Sequence, residues 1–102
     1  KLKDKDGSQP IHIASQNGHE ITVSTLIQLG ADVNCLDNDG SQPIHIAALN
    51  GHELTVSTLI QHGADVNCLD NDGSQPIPDA AFNGHDLTVK TLLQLGADVI
   101  CN

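Results

Sequence analysis

Polar turns and short apolar stretches alternate along this chain at a steady pace, and no apolar run exceeds four residues. Asp39-Gly40-Ser41-Gln42-Pro43 carries turn chemistry. Gly40 is free to take a positive φ there. Pro43 suits the first turn of a helix, where its missing N–H has no intrahelical partner. Ile44-His45-Ile46-Ala47-Ala48-Leu49 then predicts a short helix stopped by Asn50-Gly51. A second helix is predicted from about His52 to His62, with Leu54, Val56, Leu59 and Ile60 apolar and Gly63 ending it. Ala64-Asp65-Val66-Asn67 leads into an extended stretch and the next Asp-Gly turn. The unit is helix, turn, helix and a hairpin-like excursion.

This unit recurs. Cys35, Cys68 and Cys101 are 33 residues apart, as are Pro10, Pro43 and Pro76 and the Asn-Gly-His triplets beginning at Asn17, Asn50 and Asn83. Residues 7–39 and 40–72 differ at four positions only: Ser15/Ala48, Gln16/Leu49, Ile21/Leu54 and Leu29/His62. The third copy, from Gly73 to Asn102, is shorter and more divergent. A fixed period of this length predicts units that bury their apolar faces by stacking on neighbours.

The linked motifs resemble the ankyrin repeat family. Its signature is similar to Gln9-Pro10-Ile11-His12-Ile13-Ala14 and Gln42-Pro43-Ile44-His45-Ile46-Ala47, with Gly-His opening each second helix and Gly-Ala-Asp-Val closing it. The resemblance implies an all-α solenoid of stacked helix-turn-helix units with β-hairpin-like connecting loops. It forms a single domain over 1–102, with repeats at about 6–38, 39–71 and 72–102. Two departures are general. Gln stands for the signature Thr, and Thr22, Thr55 and Thr88 replace an aliphatic, which should cost packing. Lys1 aligns with Asn34 and Asn102 with Leu69, so we expect a segment of a longer array; a complete mini-protein with frayed ends is the alternative. In the third repeat Pro78 replaces the signature His and Asp79 an Ile. Because the residue before a proline is pushed away from α geometry, a distorted or weakened first helix is expected there.

Composition sharpens the picture. Phe82 is the sole aromatic of 102 residues, yet 38% of the chain is hydrophobic, so local interfaces must replace a large core. Four Lys and no Arg against thirteen acids give a net charge of −9. That sign argues against nucleic-acid and membrane-surface roles.

Six histidines and three cysteines raise a metal hypothesis. Zinc ligands must lie within roughly 4 Å of one another, whereas equivalent residues of stacked helices should lie about 8–10 Å apart. His12 and His45 therefore should not share an ion, and the same spacing argues against a disulfide between Cys35 and Cys68. The family resemblance gives the signature His a hydrogen-bonding role instead. Unpaired thiols point to a reducing, cytoplasmic setting, and their place near the hairpins predicts partial exposure. No cofactor or metal is expected. The acid pairs Asp37/Asp39 and Asp70/Asp72 and the serines at 8, 41 and 74 sit in repeated, solvated turns, and no nucleophile elbow is present. A catalytic site is normally unique in a chain, so the expectation is a protein that is not an enzyme.

In ankyrin proteins the concave face uses hairpin tips and positions late in the first helix. Those map onto Lys5, Asp6 and Ser8, then Asn38, Asp39 and Ser41, then Asn71, Asp72 and Ser74, with the helical series Gln16, Leu49 and Phe82. The helical series changes in every copy and becomes apolar. The reading is an interaction module that presents a rigid, acidic, concave face to a partner protein with a basic segment. The alternatives are a spacer within a longer solenoid, or Leu49 and Phe82 filling gaps between repeats. End-to-end self-association through uncapped terminal repeats is also open. Asn34 and Asn67 each follow Asp-Val and lie eight residues after Leu26 or Leu59. This resembles the pattern read by asparaginyl hydroxylases, although such an Asn more often only bonds across the hairpin.

Overall fold

A computed structural model describes residues 7–96. Three pairs of helices follow one another: α1 (Pro10–Gln16) with α2 (Glu20–Gln28), α3 (Pro43–Leu49) with α4 (Glu53–Gln61), and α5 (Pro76–Phe82) with α6 (Asp86–Gln94). Each first helix has seven residues and each second helix nine. Helices this short are marginal alone in water, so packing must hold them. Helix α3 lies against α1, α4 and α5, while α4 also lies against α2 and α6. The first helices form one layer and the second helices the other. No strand occurs among the described residues.

The local signals explain the pairs. A proline opens every first helix at its first position. An acid, Glu20, Glu53 or Asp86, opens every second helix, where the exposed N–H groups favour negative charge. The turn between the helices of a pair requires glycine for two reasons. Gly51 has φ +74°, and a Cβ there would lie within 3 Å of the His85 ring of the next pair. Neighbouring pairs thus touch through a backbone position without a side chain.

The core is aliphatic throughout. Ile11, Ala14 and Val23 continue into Ile44, Ala47, Ala48, Val56 and Leu59, and then Ile77, Ala80 and Leu92. It is a band shared between layers. Thr55 and Thr88 are fully buried where α4 and α6 meet their preceding neighbours, and both hydroxyls lack a hydrogen-bond partner; Thr22 is exposed.

The first helix of the third repeat keeps its length but starts more weakly, without the capping box of α1 and α3. Pro78 does not shorten its helix: α5 spans the same seven residues as α1 and α3. In α1 and α3 the third-position N–H, of His12 or His45, donates to the carbonyl of Gln9 or Gln42 at 2.9 and 3.0 Å, a bond that Pro78 cannot make. What α5 lacks is the imidazole of the other copies. One sequence expectation is corrected: the cysteines are not partly exposed. Cys35 and Cys68 are 7% and 5% exposed, because each sits beneath the His ring of the preceding first helix. Cys101 lies outside the described residues.

Candidate functional site

Each connecting loop is tied to the helix before it by one imidazole. The Gln42 N–H donates to His45 Nδ1 at 3.0 Å, which leaves the ring proton on Nε2. That Nε2–H is shared between the carbonyls of Cys68 and Ser74, both at 3.0 Å. His12 repeats the arrangement with Gln9 and the carbonyls of Cys35 and Ser41. On the other side of each pair, the Nε2–H of His52 donates to Gln16 O at 2.9 Å and that of His85 to Leu49 O at 3.0 Å. These histidines are framework. Both ring nitrogens of His12 and His45 are engaged, and no three His, Cys, Asp or Glu side chains gather as a metal cage among the described residues.

Cys68 lies against His45, and the charge of Asp79 reaches the thiol, a composition that invites comparison with a nucleophile, base and acid. The geometry does not serve that chemistry. Cys68 Sγ lies 3.7 Å from Nδ1 and 3.6 Å from Nε2, but Nδ1 already accepts the Gln42 N–H and Nε2 donates to carbonyls. Burial, followed by the charge of Asp65, pushes the Cys68 thiol up to about 12. The thiol stays protonated and packs as a small apolar group.

The turn tips divide the work of their carboxylates. Asp37 accepts the N–H groups of Asp39 and Ser41, each at 2.9 Å, and Asp70 does the same for Asp72 and Ser74. The expectation that both acids of each pair are solvated is therefore corrected: Asp37 and Asp70 are half-buried, and only Asp39 and Asp72 are exposed. Successive tips are laddered, with the Asn71 N–H donating to Asp39 O at 3.0 Å and Asn71 Nδ2 to Asn38 O at 3.3 Å. A Cβ on Gly40, at φ +73°, would strike the Asn71 side chain.

Among the predicted face residues, Asn38, Asp39, Asn71, Asp72 and Gln16 are exposed, while Ser8, Ser41 and Ser74 are half-buried. Leu49 is 45% exposed and Phe82 88%, so neither simply fills a gap between pairs. Lys5 and Asp6 lie outside the described residues. Asn34 is half-buried, with its Oδ1 unpartnered and its Nδ2 at 3.5 Å from Gly63 O; the half-buried Asn67 receives Gln75 Nε2 at its carbonyl at 3.4 Å.

Sequence reasoning left Ile13, Ile46 and Asp79 out of this face. They sit one helical turn before Gln16, Leu49 and Phe82, so the two sets share a side of each first helix. Ile13 is 45% exposed, and Ile46 and Asp79 are half-buried. The three-residue spacing was the available signal.

A family model described as "Ankyrin repeats (3 copies)" matches residues 11–102. The chain belongs to the ankyrin repeat family. No curated protein matches it. Ankyrin repeats are generic protein–protein interaction modules and typically not enzymes. Among the described residues no helix of this ankyrin-repeat chain is long and apolar enough to cross a membrane.

Proposed function

We propose that the chain holds a basic, partly apolar segment of a partner protein on the concave face formed by its turn tips and first helices. The exposure of Leu49 and Phe82 on neighbouring helices, together with that of the turn-tip acids Asp39 and Asp72, carries this reading. Asp6, Ser8, Gln16, Asn38, Ser41, Asn71 and Ser74 complete the proposed face. Large apolar side chains anchor interfaces, and like-signed tips steer an oppositely charged partner. The hydrogen-bonded loops offer an already ordered surface, which keeps the entropy cost of binding small.

A randomised nonapeptide library passed over the immobilised chain tests this. Retained peptides should be enriched in Lys or Arg together with Leu, Ile or Phe. The double variant Leu49→Ala/Phe82→Ala should lose that enrichment; equal enrichment on both proteins would sink the reading. A cytoplasmic, reducing location belongs to the same proposal and rests on the buried, unbridged thiol of Cys68. So does hydroxylation of Asn34 and Asn67, read as a 16-Da gain after treatment with an asparaginyl hydroxylase.

One further observation favours self-association. Pro10 and Thr22 are exposed where Pro43, Pro76, Thr55 and Thr88 are buried, and Ala81 is exposed where Ala48 is buried. A second copy stacked end to end would cover both surfaces. Sedimentation across a concentration series should then shift upward, and a constant coefficient would dismiss it.

A further inference from the structure

The two rows on the first helices do not run parallel in chemistry. One reads Ile13, Ile46, Asp79 and the other Gln16, Leu49, Phe82. Apolar character therefore crosses the face obliquely, from Ile13 through Ile46 and Leu49 to Phe82. Both ends of that diagonal are bounded by a polar residue, Gln16 at one and Asp79 at the other. Ile46 and Leu49 lie one turn apart on α3, and α3 packs directly against α1 and α5, which makes the band continuous across three helices. Packed helices sit about 8–10 Å apart, close to the span of two or three residues of an extended peptide.

Asp79 is the residue that breaks the symmetry. It occupies the place of an isoleucine and is half-buried beside the α3–α5 junction. Burial raises its carboxyl above the usual range, with His45 acting against this and the like charge of Asp70 adding to it. The start of α5 supports its carboxylate, but the charge of Asp70 does not. A half-buried carboxylate in such a place gains most from a cation brought by another molecule. Phe82, one turn on, supplies an aromatic surface for the stem of the side chain that brings it.

We infer that this face has a direction: an apolar side chain of the partner seats between Leu49 and Phe82, and a lysine or arginine close to it in sequence places its charged head at Asp79. This rests on the reading of the face given above. It adds a fixed register, and it assigns selectivity to Asp79 over the more exposed Asp39 and Asp72.

The test uses a nonapeptide of alternating Leu-Leu and Arg-Arg pairs and a set of analogues in which each arginine in turn becomes citrulline, its neutral isostere. Affinities are measured for the unaltered chain and for Asp79→Asn, Asp79→Ile and Asp72→Asn. One citrulline position should weaken binding to the unaltered chain about tenfold and have no effect on either Asp79 variant. Asp72→Asn should weaken all peptides by less than about threefold. Asp79→Ile, which restores the residue of the other two repeats, guards against a merely unfolded variant. If Asp79→Asn and Asp72→Asn weaken every peptide alike, the register is wrong while the face stands. If Leu49→Ala/Phe82→Ala binds the parent peptide unchanged, the face itself falls.

Discussion

His45 shows how much one side chain does in this chain. Its ring accepts one N–H, donates to two carbonyls, covers a thiol and is itself buried. His45→Ala should cost about 3 kcal/mol in urea unfolding, since it leaves a buried donor and two acceptors short of a partner. Asp79 acts in the opposite direction. Burial, with the charge of Asp70, raises its carboxyl above the ordinary 3.8, and the charge of His45 lowers it. The folded chain thus binds this proton more tightly than the unfolded chain does. Its penalty is full at neutral pH and fades as pH falls through the raised value towards 3.8. Asp79→Ile should stabilise the chain by about 1 kcal/mol at pH 7, with a smaller gain near pH 4. An equal gain at both values would count against this assignment. The signature histidine was legible from its motif, but its paired carbonyls were not, because they come from a loop 23 and 29 residues further on.

Helix positions were readable because proline, glycine and aliphatic spacing agree within each unit; the expected helix from about His52 to His62 is observed as Glu53–Gln61. The partition of each acid pair was hidden. Asp37 and Asp39 are the same residue type two apart, and only the path of the turn decides which carboxylate receives N–H groups. Likewise the depth of Cys68 depends on a ring that arrives from another helix. The second helices carry a correctable flaw. Thr55 and Thr88 bury hydroxyls without partners between α2, α4 and α6. Thr55→Val and Thr88→Val keep the shape and remove the desolvated oxygen, so each should raise stability by roughly 1 kcal/mol. Thr22→Val, at the exposed equivalent, should change thermal denaturation little. A gain as large at position 22 would mean that helix propensity, not burial, was responsible.

The period of 33 residues made the architecture legible before any coordinates, since units with one aromatic among them can fold only by leaning on one another. The partner face was legible in part. Leu49 and Phe82 stood out as changes between copies, whereas Ile13 and Ile46 are constant and gave no such signal. Constancy across copies reports what every unit needs and is silent on which atoms solvent can reach. The histidine links also set the order in which units let go. Repeat three has no imidazole tying Pro76–Phe82 to the loop beyond it, so amide hydrogen exchange should be faster in α5 and α6 than in α3 and α4. Equal protection in the two pairs would contradict that order. Held by its two ends and stretched, such a chain should behave as a string of clasps. Each clasp opens separately and releases roughly 110 Å of slack, and the one with Pro78 in place of the histidine opens first.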